Sequence, residues 1–210
     1  MIKRTILFVV AGAAVSLSAP ALAVPANAAI YEAGMCLVQR DRRAAIALFR
    51  GLPLDRSAAD LSALAAGPAR DCAGGASGAS SMMVRGAIAQ ALFVRDFRGT
   101  MGHEPRPGLD PVDLGLDAAI AVGGPPATEP YRWADCVVRN DPAATERLLR
   151  TDIGSPQEAA AVSGLQPYMS ACMAMGAQIS VRQSEMRSLF AQGAYHNSYR
   201  YWSGQLRDAR

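Results

Sequence analysis

Cys36, Cys72, Cys136 and Cys172 are the residues whose type and spacing point most directly to chemistry. Each pair is separated by 36 positions, and the second pair follows the first by 100. Thiols can hold a metal, exchange electrons or form bridges. No Cys-x-x-Cys supports a redox couple and no histidine spacing supports zinc, so neither a metal nor a cofactor is expected. In an oxidising compartment an even set of four implies disulfides, with three connectivities open. The offset of 100 selects Cys36 with Cys72 and Cys136 with Cys172, because pairing within each copy lets both halves keep one geometry. Closing such a loop restricts the unfolded chain by about 4 kcal/mol on the entropy model.

Other groups able to do catalysis are sparse. The two histidines, His103 and His196, fall in non-equivalent places. Glu32, Glu146, Glu158 and Glu185 could in principle supply the two carboxylates of a helical glycosidase. Glu158 is accounted for by helix capping, however, and none has an acidic counterpart in the other half of the chain. Gly-x-Ser-x-Gly elbows, phosphate loops, dinucleotide fingerprints and His-Glu-x-x-His are all missing. No catalytic residue is therefore expected.

The oxidising compartment follows from the first residues. Lys3-Arg4 gives a positive start, residues 6–17 are apolar or small, and Ala21-Leu22-Ala23 has the small-x-small form that signal peptidase reads. The expectation is a signal peptide at 1–23, with a second cleavage point after residue 28. A periplasmic or secreted protein without an integral membrane segment would remain. Removing Lys3 and Arg4 leaves 19 basic against 18 acidic side chains, a net charge near +1. Lys3 is the only lysine, so the mature chain carries arginine alone. Arg40, Arg42 and Arg43 form its one dense cluster, a weak footprint for a nucleic acid and equally a solvated helix end. No nucleic-acid partner is expected.

The cysteine offset belongs to a longer pattern. Tyr31, Val38, Asp41, Leu48 and Arg50 meet Tyr131, Val138, Asp141, Leu148 and Arg150 at the same spacing. Beyond the second cysteine an offset of 97 matches Val84-Arg85 with Val181-Arg182 and Leu92-Phe93 with Leu189-Phe190. Asp41, Asp141, Arg85 and Arg182 thus stand out as repeat-equivalent polar positions. They are read either as N-caps and internally paired arginines or as symmetric contacts on a binding face.

Helices must position these residues. Asp141-Pro142 begins one, Asp as N-cap and Pro in the first turn. Ser155-Pro156-Gln157-Glu158 is a capping box that opens another towards Cys172, and Asp55 stands at the Ser155 position of the first copy. A last helix covers 181–196. Sustained alternation of period two is missing, which argues against a sheet. The resulting expectation is all-α: two tandem helical repeats of about four helices each, packed with pseudo-two-fold symmetry, one disulfide per repeat. The repeats span 29–97 and 129–196. Between them runs a Gly/Pro-rich linker at 98–128, with one short helix after Asp110-Pro111, and an aromatic and basic tail follows at 197–210.

The run Cys136-Val137-Val138-Arg139-Asn140-Asp141-Pro142, followed by the Ser155-Pro156 helix and Cys172, resembles uncharacterised exported bacterial proteins with two disulfide-containing helical repeats. The similarity covers nearly the whole mature chain. It implies a periplasmic, duplicated protein and adds neither an activity nor a site. The functional expectation is a non-enzymatic interaction or structural module of the cell envelope with an envelope or secreted protein partner. The alternatives are a carrier of a small apolar ligand between the repeats, lined by Met82, Met83, Met173, Met175 and Met186, and a small envelope hydrolase.

Overall fold

A computed structural model describes residues 26–62, 68–98, 104–173 and 179–204; the expected signal peptide and His103 lie outside them. Among the described residues the chain is mostly helical. Its helices are α1 (Ala26–Arg40), α2 (Arg42–Gly51), a 3-10 helix (Arg70–Ala76), α3 (Ser81–Asp96), α4 (Leu116–Val122), α5 (Pro125–Asn140), α6 (Pro142–Arg150), α7 (Pro156–Ala171) and α8 (Gln183–Trp202). Two-residue strands Phe97–Arg98 and Glu104–Pro105 pair antiparallel just after α3.

Local chemistry starts several of these helices. The Asp41 carboxylate accepts the Ala44 N–H at 2.9 Å and the Asp141 carboxylate accepts that of Ala144 at 2.8 Å, so both aspartates are N-caps. Ser155 Oγ accepts the Glu158 N–H, and Glu158 reaches back to accept the Gly154 N–H at 2.6 Å. The carboxylate therefore turns to the residue before the cap, a one-position variant of the expected box.

The centre of the molecule is the crossing of α3 and α8. Twelve of the sixteen α3 residues and thirteen of the twenty α8 residues are buried, so neither helix has a polar face for a period of 3.6 to reveal. The approach at the crossing is backbone-close: a Cβ placed on Gly86 would lie 2.2 Å from the Ser188 Cβ. Helices α1 and α2 pack on α3, and α5 and α6 pack on α8. Disulfides Cys36–Cys72 and Cys136–Cys172 tie α1 to the 3-10 helix and α5 to the end of α7, as the spacing predicts.

Several boundaries differ from expectation. Helix α5 begins at Pro125, so Gly123-Gly124-Pro125-Pro126 is a helix entry and Pro130 lies inside the helix. Proline there forgoes one intrahelical bond, and the burial of Thr128, Pro130 and Tyr131 offsets the loss. The linker helix starts at Leu116 rather than near Asp110. Helix α8 runs six residues past 196, so much of the expected tail is helical, with Tyr199 and Trp202 ring centroids 6.0 Å apart.

No helix is described at 53–61, where the first half was expected to begin its match to α7. Asp55 accepts the Ser57 N–H two residues on, which closes a turn, and Ala58 bridges to Ser80. A side chain that can bond its own backbone competes with helix entry, and Asp55 lacks the following proline that favours α7.

Candidate functional site

Two arginines lie at the fifth position of the two crossing helices, Arg85 in α3 and Arg187 in α8. Arg85 Nη1 donates to the carbonyls of Phe49 (2.6 Å) and Leu52 (2.9 Å) at the end of α2. Arg187 Nη2 donates to those of Leu149 (3.1 Å) and Thr151 (2.8 Å) at the end of α6. Each Nε then crosses to the other half: Arg85 to Gln192 Oε1 at 3.1 Å and Arg187 to Gln90 Oε1 at 2.9 Å. Both glutamines are the tenth residue of their helix. The physical reason for burying a guanidinium here is the helix terminus, whose last carbonyls lack partners and carry partial negative charge.

Both guanidiniums also face an aromatic ring, Arg187 that of Tyr31 at 5.5 Å from its centroid, and they differ in that only Arg187 has a carboxylate. Arg187 also meets the Glu158 carboxylate at 2.8 Å. Arg85 meets the face of Phe49, its Cζ 4.0 Å from the ring centroid, and is 1 % exposed. Burial lowers its pKa to about 10, and even so it remains a cation at neutral pH. Arg182 does not take the place expected from its match with Arg85. It is the exposed N-cap residue of α8, and its backbone N–H donates to Glu185.

Cavities open where α1, α7 and α8 begin. One of about 500 Å³ is lined by Asn27, Tyr31, Ser155, Glu158, Gln183 and Arg187, together with the apolar Ile153 and Val162. A neighbour of about 640 Å³ lies towards α3 and is lined by Arg56, Ser77, Ser80, Met83, Arg182 and Glu185, among others; both have Asn27 and Ser184 in their walls. Each carboxylate in these walls is already held. Glu158 pairs with Arg187, and Glu185 takes a two-pronged bond from Arg56 at 2.7 and 2.8 Å. Tyr31 is also engaged, through Ser188 Oγ at 2.7 Å, and its burial pushes its pKa up to about 12. What remains on the walls is hydroxyl and amide from Asn27, Ser77, Gln183 and Ser184, the exposed Arg182, and the apolar groups of Ile30, Met83, Ile153 and Val162.

The Glu185 pair gives a pH prediction. Burial works to raise this carboxyl, but the Arg56 fork, the Arg182 N–H and both positive charges hold it below the ordinary value. A folded-state pKa below the unfolded one stabilises above the ordinary carboxylate range and is lost as pH falls through the folded value. The thermal midpoint should drop as pH is lowered below the ordinary carboxylate range. Glu185→Gln should melt lower at neutral pH and show a shallower acid dependence. Parallel slopes for the two proteins would remove Glu185 from the acid response.

The remaining candidates are scattered. Glu32 is exposed, and Glu146 pairs with Arg150 within α6. His196 is buried in α8 and lies 3.2 Å from Asp117 of α4, which fastens the linker helix. Met82 is a core residue, Met83 lies on a cavity wall, Met186 packs partly buried and Met173 is exposed. Met175 falls outside the described residues, and the other four share no described cavity. Among the described residues no group of histidine, cysteine and acidic side chains could hold a metal. The arginine and glutamine cross-links were missed in sequence, where only the recurrence of Arg-x-x-x-x-Gln at 85–90 and 187–192 could have signalled them. Comparison with family models, curated proteins and solved structures finds no match.

Proposed function

We propose that the chain is an exported, non-enzymatic interaction module of the cell envelope, built from two tandem repeats, which holds a segment of a partner protein at the cavities around Ser184. Export is supported by the signal-like start, the two disulfides, and the lack among described residues of a helix long and apolar enough to cross a membrane. Duplication about a pseudo-two-fold axis is supported by the paired contacts of Arg85 with Gln192 and Arg187 with Gln90, and by the N-caps Asp41 and Asp141. Those contacts favour an offset of 102 for the closing helices in place of 97. The resemblance to exported two-repeat bacterial proteins agrees with the same layout.

The observation that carries the interaction reading is the chemistry of the cavity walls. Hydroxyl and amide groups are exposed to a partner, while Glu158 and Glu185 are neutralised by arginine. Such walls offer hydrogen bonds without a free acid and base. A photocrosslinker at Gln183 should capture one defined envelope polypeptide from a periplasmic extract, and Ser184→Trp, which places an indole at the wall the two cavities share, should abolish the adduct. The reading fails if no protein is captured, or if the same adducts form from Ser163 on α7, which lines neither cavity.

A further inference from the structure

A third cavity, of about 500 Å³, lies beside α2 and is lined by Arg42, Arg43, Ile46, Ala47, Arg50 and Val112. Arg42 and Arg43 are the first two residues of α2, where the helix dipole presents partial positive charge and disfavours cations. Helix α6 follows the same kind of aspartate cap with Pro142 and Ala143. It also neutralises Arg150 through Glu146 at 2.8 Å, whereas α2 has Ile46 four residues before Arg50. Starting a helix after an aspartate cap therefore does not require these cations: Arg42 is accounted for by its pair with buried Asp96, whereas Arg43 breaks the local rule with no partner among the described residues, as is expected at a functional position.

The partners of the three guanidiniums leave capacity to spare. Arg42 forms a 2.6 Å ion pair with the buried Asp96 and donates to the Asp110 carbonyl, yet its buried Nε has no partner. Arg50 uses Nη2 for the Asp113 carbonyl. Arg43 is exposed and makes no hydrogen bond or ion pair among the described residues. The nearby carboxylates are Asp41, which caps α2 by accepting the Ala44 N–H, and Asp96, Asp110 and Asp113. None lines the cavity; Asp96 is taken by Arg42, and Asp113 accepts the Gly115 N–H at 2.8 Å.

We propose that this cleft is a binding site for a small organic oxyanion, a phosphate or carboxylate carried on a short apolar body. Guanidinium forks match the paired oxygens of either group, and Ile46, Ala47 and Val112 give the body an apolar wall. The site is separate from the cavities around Ser184 and stands or falls independently of them.

The test titrates mature, fully bridged protein with phenyl phosphate, benzoate and uncharged benzyl alcohol, followed by NMR shifts of Ile46 and Val112. Saturable binding of an oxyanion is expected, weakened about tenfold in Arg43→Gln, the loss of one charge-assisted contact. Arg147→Gln on α6 should leave it unchanged. The tighter of the two anions identifies the preferred group. Absence of saturable shifts with both anions, equal affinity in Arg43→Gln, or equal binding of benzyl alcohol would overturn the proposal.

Discussion

Arg187→Met should lose about 3–5 kcal/mol of folding stability, the range for stranding one partner of a buried, hydrogen-bonded ion pair. Arg85→Met should lose only about 1–3 kcal/mol, the cost of buried acceptors left without donors. Both changes remove a guanidinium from the end of a helix and from a glutamine in the other half. Only Arg187 also leaves a carboxylate behind, because Glu158 has no other cationic partner among the described residues. Urea unfolding at neutral pH measures the difference as a shift of midpoint at constant slope. The double variant Arg187→Met/Glu158→Gln should recover part of the loss, since the stranded charge is then gone. Equal losses for the two arginines, or no recovery in the double variant, would show that the ion pair adds nothing to the carbonyl contacts.

Gly86→Ala should be at least as damaging. The new Cβ would sit 2.2 Å from the Ser188 Cβ and 2.3 Å from its Cα, so no side-chain rotation relieves the clash and the helices must separate. Overpacking typically costs about 1–3 kcal/mol when a core can give; here the obstacle includes backbone, and a loss above that range is expected. Parting α3 and α8 would also stretch the Arg85–Gln192 and Arg187–Gln90 links and the Tyr31–Ser188 bond. Ser188→Gly should rescue only part of the loss, because the clash with the main chain of residue 188 persists. Thermal unfolding of the two single variants and their combination checks this. Full rescue would mean that the Ser188 side chain alone sets the spacing.

Both expectations rest on groups whose partners are distant in the chain, 29 residues for Arg187 with Glu158 and 107 for Arg85 with Gln192, and this separates what was legible in sequence from what was not. Asp41 and Asp141 read correctly as N-caps because a cap bonds a backbone N–H three residues on. The Ser155 helix start was legible for the same reason. Disulfide pairing was legible from spacing alone, since both bridges close loops of equal length. The lack of a helix start at the described residues 53–61 was not, because Asp55 closes a turn on Ser57 in a stretch whose residues otherwise pass for a helix start. The match of Arg85 with Arg182 failed because identity of neighbouring letters outweighed position along the helix. Arg182 precedes α8, whereas Arg187 occupies the level at which α3 carries Arg85.

The cavities illustrate the same division. Tyr31, Ser155, Ser184 and Arg187 share walls only because three helices begin at one place, and nothing in their spacing announces it. By itself, the sequence determined the bridges, the caps and the helical class, all set by local backbone chemistry or by a covalent bond with strict reach. The tertiary structure alone decided which arginines are buried, how closely α3 and α8 approach, and where hydroxyl and amide groups are left facing open space. Those outcomes depend on how whole helices pack, and packing sums many weak contacts between residues far apart in the chain.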